Sequence, residues 1–252
     1  MIQPTDRPKA YWWASRPNFG DALAPFLIHR FCPGIYPEHT ELHDAQILSI
    51  GSVLDRVKLS FQGIVCGSGM LSESSHPNLC AATILAVRGP LTAERLVTKQ
   101  KNFVLGDPGL LASDLIQLPY KQHNLGLVPH WSDTTLEKRK EFLKFKPLII
   151  RVSKDPLEVV RQIASCKKIV SSSLHGIIVA DAFHIPRRIE IAPRFLSAPV
   201  EGGDFKLRDY HKAIHTNLVI GKTILANYKK IQDCQSELFD CYSELYTMLR
   251  GR

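Results

Sequence analysis

The segment best suited to chemistry is a short run of serines that leads into a histidine and an apolar helix. Its residues are Ser171, Ser172, Ser173, Leu174, His175 and Gly176. A strand that ends here and turns into a helix places hydroxyls, an imidazole and helix N–H groups where open α/β folds bind ligands. A helix N-terminus favours phosphate or carboxylate. His175 is therefore a candidate general acid or base, because imidazole titrates near neutrality; the alternative is a turn in which it only caps its neighbours.

Two basic segments contain side chains that could hold an anion. Arg88 directly precedes Gly89 and Pro90 at a predicted helix start, so its guanidinium could bind an anion beside the helix N–H groups. Lys206 and Arg208 form a second basic pair. The alternatives are a surface ion pair for Arg88 and a solvated loop for the pair.

Polar and aromatic residues near the N-terminus could contact a sugar. Asn18, Gly20 and Asp21 precede an apolar helix, where Asp21 either caps the helix or, together with Asn18, orients a sugar hydroxyl. Trp12 and Trp13 either stack on a sugar or pack in the core.

Two glycine-containing turns complete the set. Asp107 lies at the tip of a turn bracketed by glycines, and helix capping is the simpler interpretation of its carboxylate. Gly67 and Ser68 follow an apolar run, and a glycine there allows the backbone to approach a ligand closely.

The elements that must position these residues are short apolar runs that alternate with helical stretches. The runs predict strands at residues 45–50, 62–66, 83–87, 103–105, 147–150 and 168–171. They are largely apolar, with little alternation, as expected for parallel strands covered by helices on both faces. Pro90, and Asp155 followed by Pro156, mark helix starts. The alternation predicts an α/β fold with parallel sheets.

Composition divides the chain into parts. Residues 116–133 are rich in proline, asparagine and glycine, which predicts a linker between an N-terminal domain at 1–115 and a C-terminal domain at 134–215. In residues 216–252, side chains recur at alternating spacings of four and three, which predicts a long helix with a heptad seam. The seam residues are Ile224, Tyr228, Ile231, Gln235, Leu238, Tyr242, Leu245 and Leu249. This helix either packs on the body or forms a homodimer, with Gln235 fixing the register.

Overall composition excludes several protein classes. The chain has 252 residues, 44% hydrophobic and 22% charged, which argues against disorder and fibrous repeats. No apolar run approaches the length of a membrane span, and the first residues lack a signal-peptide pattern, so we expect a cytoplasmic protein. The six cysteines and ten histidines show no metal-ligand spacing, so no metal is expected. A net charge of +8 favours an anionic partner, but no nucleic-acid-binding motif is present.

The order of these segments resembles the polysaccharide pyruvyl transferase family, most closely its bacterial exopolysaccharide members. From the N-terminus the motifs are N-x-G-D, G-S-G, R-G-P-L-T, L-G-D-P-G-L-L, V-P-H, S-x-x-H-G and K-x-R-D-Y. The resemblance implies two Rossmann-like domains in a GT-B-like arrangement, braced by the long C-terminal helix. It also implies transfer of a pyruvyl group from phosphoenolpyruvate, without another cofactor, to two hydroxyls of one sugar. The products would be a cyclic ketal and phosphate.

With this resemblance, the candidate residues take expected roles. His175 is expected to shuttle the proton, Arg88 to stabilise charge electrostatically, and Asp21 to complete the catalytic group. The expected donor-binding residues, on the C-terminal side, are Ser171, Ser172, Ser173, Leu174, Gly176, Lys206 and Arg208. The expected acceptor-binding residues, on the N-terminal side, are Asn18, Gly20, Gly67, Ser68 and Asp107.

The expected partners are phosphoenolpyruvate and a sugar or lipid-linked oligosaccharide. A lipid-linked acceptor would bring the protein to the membrane surface. Many family members have an arginine where this chain has Ser173, so another basic residue would have to hold the donor here. Two alternatives stay open: a GT-B glycosyltransferase that uses a nucleotide sugar, and a carbohydrate-binding relative without catalysis.

Overall fold

The chain forms an α/β fold with two sheets, as a computed structural model shows for residues 7–191 and 204–251. The strands are β1 (Lys9–Tyr11), β2 (Glu38–His39), β3 (Ile47–Leu48), β4 (Ile64–Ser68), β5 (Thr83–Val87), β6 (Val104–Leu105), β7 (Gly126–Val128), β8 (Leu148–Ile149), β9 (Ile169–Ser171), β10 (Arg187–Ile189) and β11 (Thr223–Ile224). The α-helices are α1 (Phe19–Ala22), α2 (Ala24–Phe31), α3 (Pro90–Ala93), α4 (Lys140–Leu143), α5 (Pro156–Ala164), α6 (Leu174–Ala182), α7 (Phe205–Ala213) and α8 (Tyr228–Arg250). The predicted α/β class is thereby confirmed.

The N-terminal sheet has six parallel strands in the order β2-β1-β3-β4-β5-β6. Its central strands β3 and β4 are fully buried and β5 nearly so, which explains why these runs show no polar alternation. The predicted strand at 83–87 coincides with β5. Because all six strands are parallel, their carboxyl ends lie along one edge, and the turns that follow β4 and β5 meet there.

The C-terminal sheet has five strands in the order β11-β10-β9-β7-β8, with only the β10–β11 pair antiparallel among the described strands. Strand β7 lies inside 116–133, where the sequence predicted a linker. Gly126 supported the linker prediction, yet it is the first residue of β7. The position requires glycine because a Cβ there would be 2.7 Å from Cys166 Sγ. The glycine thus reports close packing rather than a loop.

The C-terminal helix α8 begins at Tyr228, twelve residues later than the predicted start at residue 216. Asn227 caps it by accepting a hydrogen bond from Lys230 N, and Ile224, which the heptad pattern included, lies in β11 instead. The seam residues Ile231, Leu238 and Leu245 are buried within the chain. The seam therefore packs on the body, as the first of the two alternatives predicted.

One hydrophobic cluster joins both sheets. It includes Ile64 and Ala86 of the N-terminal sheet together with Val128 and Ile169 of the C-terminal sheet. The 3-10 helix Pro108–Leu115 lies between them and packs against α6, α8 and α2. The two sheets therefore share a core, and the turns at their carboxyl ends are held in fixed positions relative to each other.

Within residues 7–191 and 204–251, none of the helices has the length and apolar character needed to cross a bilayer.

Candidate active site

The short helix α1 brings a carboxylate from the N-terminal side against the C-terminal side. Phe19 N donates to Val152 O at 2.9 Å, which fixes this helix next to the C-terminal sheet. Asn18 Nδ2 donates to Asp21 Oδ2 at 3.1 Å, and Asp21 is buried. Gly51, with φ +102°, lies so close that a Cβ there would be 2.4 Å from Asp21 Oδ1.

Gly20 lies directly against His175. A Cβ at position 20 would be only 1.8 Å from His175 Nδ1, so no other residue type fits here without moving the ring. His175 is the second residue of α6 and is buried, with 9% of its side chain exposed. The sequence-predicted residues Gly20, Asp21 and His175 are therefore brought together.

Asp107 meets the same histidine from the other side. Its Oδ1 accepts from Gly109 N at 2.9 Å and so caps the 3-10 helix Pro108–Leu115, as the sequence suggested. Its Oδ2 lies 3.8 Å from His175 Nε2, and the carboxylate is fully buried. The structure therefore places Asp107 beneath the histidine, and not at a surface where an acceptor sugar could bind it.

Burial controls the protonation of this cluster. It raises the pKa of Asp21 to about 7, opposed by the positive charges of Lys206 and Arg88. It also raises the pKa of Asp107 to about 6, against the charge of Arg88 and the hydrogen bond from Gly109. Burial, with Lys206 and Arg88 adding to it, lowers the pKa of His175 to about 3. At neutral pH the imidazole is therefore neutral, and Asp21 is the group with a proton to give.

Lys206 supplies positive charge to this cluster from α7. It is half-buried, and its charge acts on both Asp21 and His175. The next basic residue of the same helix, Arg208, points elsewhere: its Nε donates to Asp204 Oδ1 at 2.9 Å, and it also pairs with Glu73. The predicted basic pair is thus split, with Lys206 near the cluster and Arg208 in a surface ion-pair group.

Arg88 is buried and internally paired. Its Nε donates to Asp209 Oδ2 at 3.0 Å, its Nη1 donates to Ser52 Oγ at 2.7 Å, and its Nη2 donates to Met70 O. No part of the side chain is exposed, which leaves no nitrogen for a bidentate clamp on a bound anion. The expected direct anion contact is therefore not what the geometry provides, although the charge still acts on Asp21, Asp107 and His175.

The R-G-P-L-T motif is instead a docking site for α7. The Asp209 carboxylate accepts from Arg88 and also from Thr92 N at 3.0 Å and Thr92 Oγ1 at 2.6 Å. Gly89 is needed because a Cβ there would be 2.2 Å from Asp209 O. The sequence pattern gave no indication of this role for Asp209, although the residue belongs to the K-x-R-D-Y motif.

The adjacent Tyr210 ties α7 to the C-terminal side. Its hydroxyl donates to Asp181 Oδ2 at 2.9 Å, and Asp181 pairs with the buried Arg187 at 3.0 Å. Asp209 thus binds the N-terminal side of the molecule and Tyr210 binds the C-terminal side. These two contacts fix the position of α7 and therefore of Lys206, which lies on the same helix. The sequence offered one signal for this contact: Asp181 is the only carboxylate in the apolar helix α6, and a buried carboxylate requires a polar partner.

The serines shape the turn before α6, and the hydroxyls of Ser171 and Ser172 are hydrogen-bonded inside the fold. Ser171 Oγ lies 2.8 Å from Val128 O and accepts from Ser173 N at 2.9 Å. Ser172 Oγ donates to Asp133 Oδ2 at 2.6 Å and accepts from His130 N. Of the other expected donor residues, Leu174 and Gly176 are buried in the first turn of α6.

Two of the expected acceptor residues lie inside the fold. Gly67 has φ +100°, and a Cβ there would be 2.2 Å from the Pro108 ring. Ser68 Oγ donates to Gly51 O at 3.1 Å and is fully buried. This G-S-G turn therefore supports the segments that hold Asp21 and Asp107, and neither residue is exposed to a ligand.

Two tryptophans meet at the rim formed by the carboxyl ends of both sheets. Trp13 follows β1 and Trp131 follows β7, and their ring centroids are 6.3 Å apart. The Arg16 guanidinium lies 4.5 Å from the Trp131 ring centroid, and both indoles are partly exposed. Trp13 was a sugar-binding candidate from the sequence, whereas Trp131 was not, because it lies within 116–133, the predicted linker.

The described residues contain no group of three or more histidine, cysteine or carboxylate side chains arranged to hold a metal ion. What the cluster offers is a neutral imidazole, a protonatable carboxyl group and a lysine charge at the junction of the two sheets. Such a set can move protons at a bound anionic substrate.

Comparison with known proteins agrees with the order of motifs. The chain is 31% identical over 191 residues to the succinoglycan biosynthesis protein ExoV of Rhizobium meliloti (strain 1021), a match that covers 71% of this chain and 58% of ExoV. It is 33% identical over 156 residues to the uncharacterized protein L143 of Acanthamoeba polyphaga mimivirus, covering 58% and 53%. The chain thus spans little more than half of the length of these relatives. No solved structure matches it significantly.

The family model described as polysaccharide pyruvyl transferase matches residues 18–188. This stretch begins at Asn18, next to Gly20 and Asp21, and includes Asp107 and His175. It covers more than half of the sequence, so the chain belongs to the polysaccharide pyruvyl transferase family.

Proposed function

We propose that this chain transfers a pyruvyl group from phosphoenolpyruvate to two hydroxyls of one sugar in an exopolysaccharide or its precursor. The product is a cyclic ketal. The observation that carries the proposal is the meeting of Asp21, His175 and Lys206 at the carboxyl ends of both sheets, in a chain of this family. Membership alone would not assign chemistry to particular residues.

On the donor side, Lys206 and the N-terminus of α6 bind the anion. The helix has nine residues, so its first-turn N–H groups and dipole favour phosphate or carboxylate. Lys206 supplies positive charge from α7, and Arg88 adds positive charge from its buried position. This assignment replaces the clamp of Arg88, Lys206 and Arg208 expected from the sequence.

On the acceptor side, Trp13 and Trp131 offer indole surface at the rim, with Arg16 beside them. Aromatic rings stack on the apolar faces of sugars, which orients the hydroxyls toward a reacting group. The pairing of one tryptophan from each sheet supports a GT-B-like arrangement, with donor and acceptor bound between two Rossmann-like halves.

The reaction needs four proton transfers, and the cluster has two groups to carry them. Asp21 gives its proton to the methylene carbon of phosphoenolpyruvate, which makes C2 electrophilic. The first hydroxyl oxygen bonds to C2 while its proton passes to His175. The C2–O bond to phosphate then breaks, and its electron pair leaves with the phosphate, which takes the proton from His175. The second hydroxyl oxygen bonds to C2 and returns a proton to Asp21.

This sequence of steps differs from the sequence-based expectation in one respect. His175 was expected to shuttle the proton; because its lowered pKa leaves the ring neutral, it has no proton to give first and starts as the acceptor, while the raised pKa of Asp21 makes that carboxyl the acid.

The test is calorimetric binding of phosphoenolpyruvate to the wild type, Lys206→Ala and Lys212→Ala, followed by phosphate release with an acceptor oligosaccharide. Lys212 lies on the same helix and is exposed, so it is the matched control. We expect saturable binding that Lys206→Ala weakens at least about tenfold, since a charge contact is worth about 1.5–3 kcal/mol, and that Lys212→Ala leaves unchanged. Binding of UDP- or GDP-sugars instead of phosphoenolpyruvate would replace the proposal with glycosyl transfer.

A further inference from the structure

Two buried polar atoms face each other without a hydrogen bond. Asp107 Oδ2 and His175 Nε2 are 3.8 Å apart, and neither has a hydrogen-bond partner among residues 7–191 and 204–251. Leaving such an atom unpaired is destabilising, because it has lost its hydrogen bonds to water and gained none inside the protein. A fold that holds both atoms in this way gains no stability from them, which points to a role in the chemistry of the histidine.

Both side chains are held firmly in this orientation. Oδ1 of Asp107 is bound to Gly109 N, so the carboxylate presents only Oδ2 to the imidazole. On the opposite side of the ring, Nδ1 lies against Gly20, and Phe19 meets the imidazole edge-on with ring centroids 6.4 Å apart. The ring therefore turns one nitrogen toward Asp107 and the other toward the segment that carries Asp21.

We propose that Asp107 is a positioning residue that fixes the tautomer of His175 and leaves Nδ1 as the basic nitrogen. This inference rests on the proposed function. Closing the 3.8 Å gap by about 1 Å gives a normal hydrogen bond from Nε2–H to Oδ2. Catalytic hydrogen bonds commonly shorten in this way when substrate binds.

The role of Asp107 follows from the proton transfer at His175. When Nδ1 takes the proton of the first hydroxyl, the imidazole becomes a cation next to Lys206 and Arg88, which both disfavour it. The Asp107 carboxylate balances that charge until the proton passes to the departing phosphate. Asp107 keeps its own proton count throughout, so it acts only through His175.

The test uses Asp107→Asn in the full chain, because asparagine keeps the oxygen that caps Gly109 N. Asp155→Asn is the matched control: it makes the same change at the exposed cap of α5, where asparagine caps equally well. Nitrogen-15 NMR of the histidines, without substrate, reports the tautomer directly. We expect Nε2–H in the wild type and in Asp155→Asn, and a changed tautomer population in Asp107→Asn.

Kinetics give the second measurement. We expect Asp107→Asn to lower kcat for ketal formation about 100-fold or more, with phosphoenolpyruvate affinity within about twofold of wild type. Wild-type kcat in Asp107→Asn, or an Nδ1–H tautomer in the wild type, would overturn the inference. Failure of the wild type to bind phosphoenolpyruvate would instead refute the proposed function, while the tautomer measurement would still decide whether Asp107 controls His175.

Discussion

Gly20 is the residue whose packing most directly sets the position of the His175 ring. Gly20→Ala places a methyl group within 1.8 Å of His175 Nδ1, so the ring must move. We expect loss of most ketal-forming activity, about 100-fold or more, while circular dichroism stays that of the wild type. Gly251→Ala is the control, because its nearest contact is 3.5 Å away. Full activity in Gly20→Ala would mean that the position of His175 is unimportant.

Asp21 makes stability depend on pH. Its pKa rises from 3.8 to about 7 on folding, so the folded state binds the proton more tightly than the unfolded state. The resulting stabilisation is complete below about pH 4 and is lost as the pH rises to about 7. It amounts to at most about 4 kcal/mol. The burial of neutral His175 acts in the opposite direction over the same range, so the measurement is a comparison: as the pH rises from about 4 to 7, the Tm of the wild type should fall relative to that of Asp21→Asn. An identical pH dependence in the two proteins would contradict this.

The pH dependence of the activity should also be set by the protonation of Asp21. Because Asp21 acts as the acid in our proposal, kcat should decrease above about pH 7, as the carboxyl loses its proton. A kcat profile that stays level to pH 9 would assign proton delivery to another residue.

At the scale of elements, α7 is the part whose position determines the site. Asp209→Asn removes the charge that balances the buried Arg88 guanidinium, and breaking a buried pair costs about 3–5 kcal/mol. We expect that loss in urea unfolding. Asp204→Asn on the same helix breaks only an exposed pair with Arg208 and should cost under about 1 kcal/mol. An equal loss of unfolding free energy in the two variants would show that the buried Asp209–Arg88 pair stabilises the protein no more than the exposed pair does.

Sequence patterns predicted elements where they are long or capped. Residues 83–87 and the helix that starts at Pro156 were found as observed, because a continuous apolar run and an Asp-Pro cap are local signals. Strand β7 was missed because its Gly126 resembles a loop residue until Cys166 packs against it. The partners of Arg88 were missed for a related reason: Asp209 is 121 residues away, and no local pattern reports such a contact.

At the scale of the whole molecule, α8 is a brace. Leu238 is fully buried in the core that joins both sheets, so Leu238→Ala should lower the free energy of unfolding by about 2–5 kcal/mol. The adjacent Phe239 is half exposed, and Phe239→Ala should cost much less. Light scattering should give the same mass for both variants and the wild type, because the seam faces the body. A change of mass in Leu238→Ala would favour the coiled-coil dimer.

The global class was predictable, and the relation between the two halves was not. Alternating strands and helices are enough to indicate parallel sheets. The composition of residues 116–133 suggested separation, whereas the 3-10 helix that directly precedes them fills the space between the sheets with apolar side chains. The apolar side chains between the sheets are buried only when both halves pack together. The sequence of either half alone therefore does not show that the two share a core.

That shared interior has a consequence for how new specificities can arise in this protein. Where an enzyme has two separately folded halves, donor and acceptor preferences can be recombined by exchanging a whole half with a relative. Here such a chimera would have to match core side chains of foreign origin around Pro108–Leu115, at close-packed density. Substitution is better tolerated at the rim, at positions such as Arg16 and Trp131, which are exposed or partly exposed and can change without disturbing the interior.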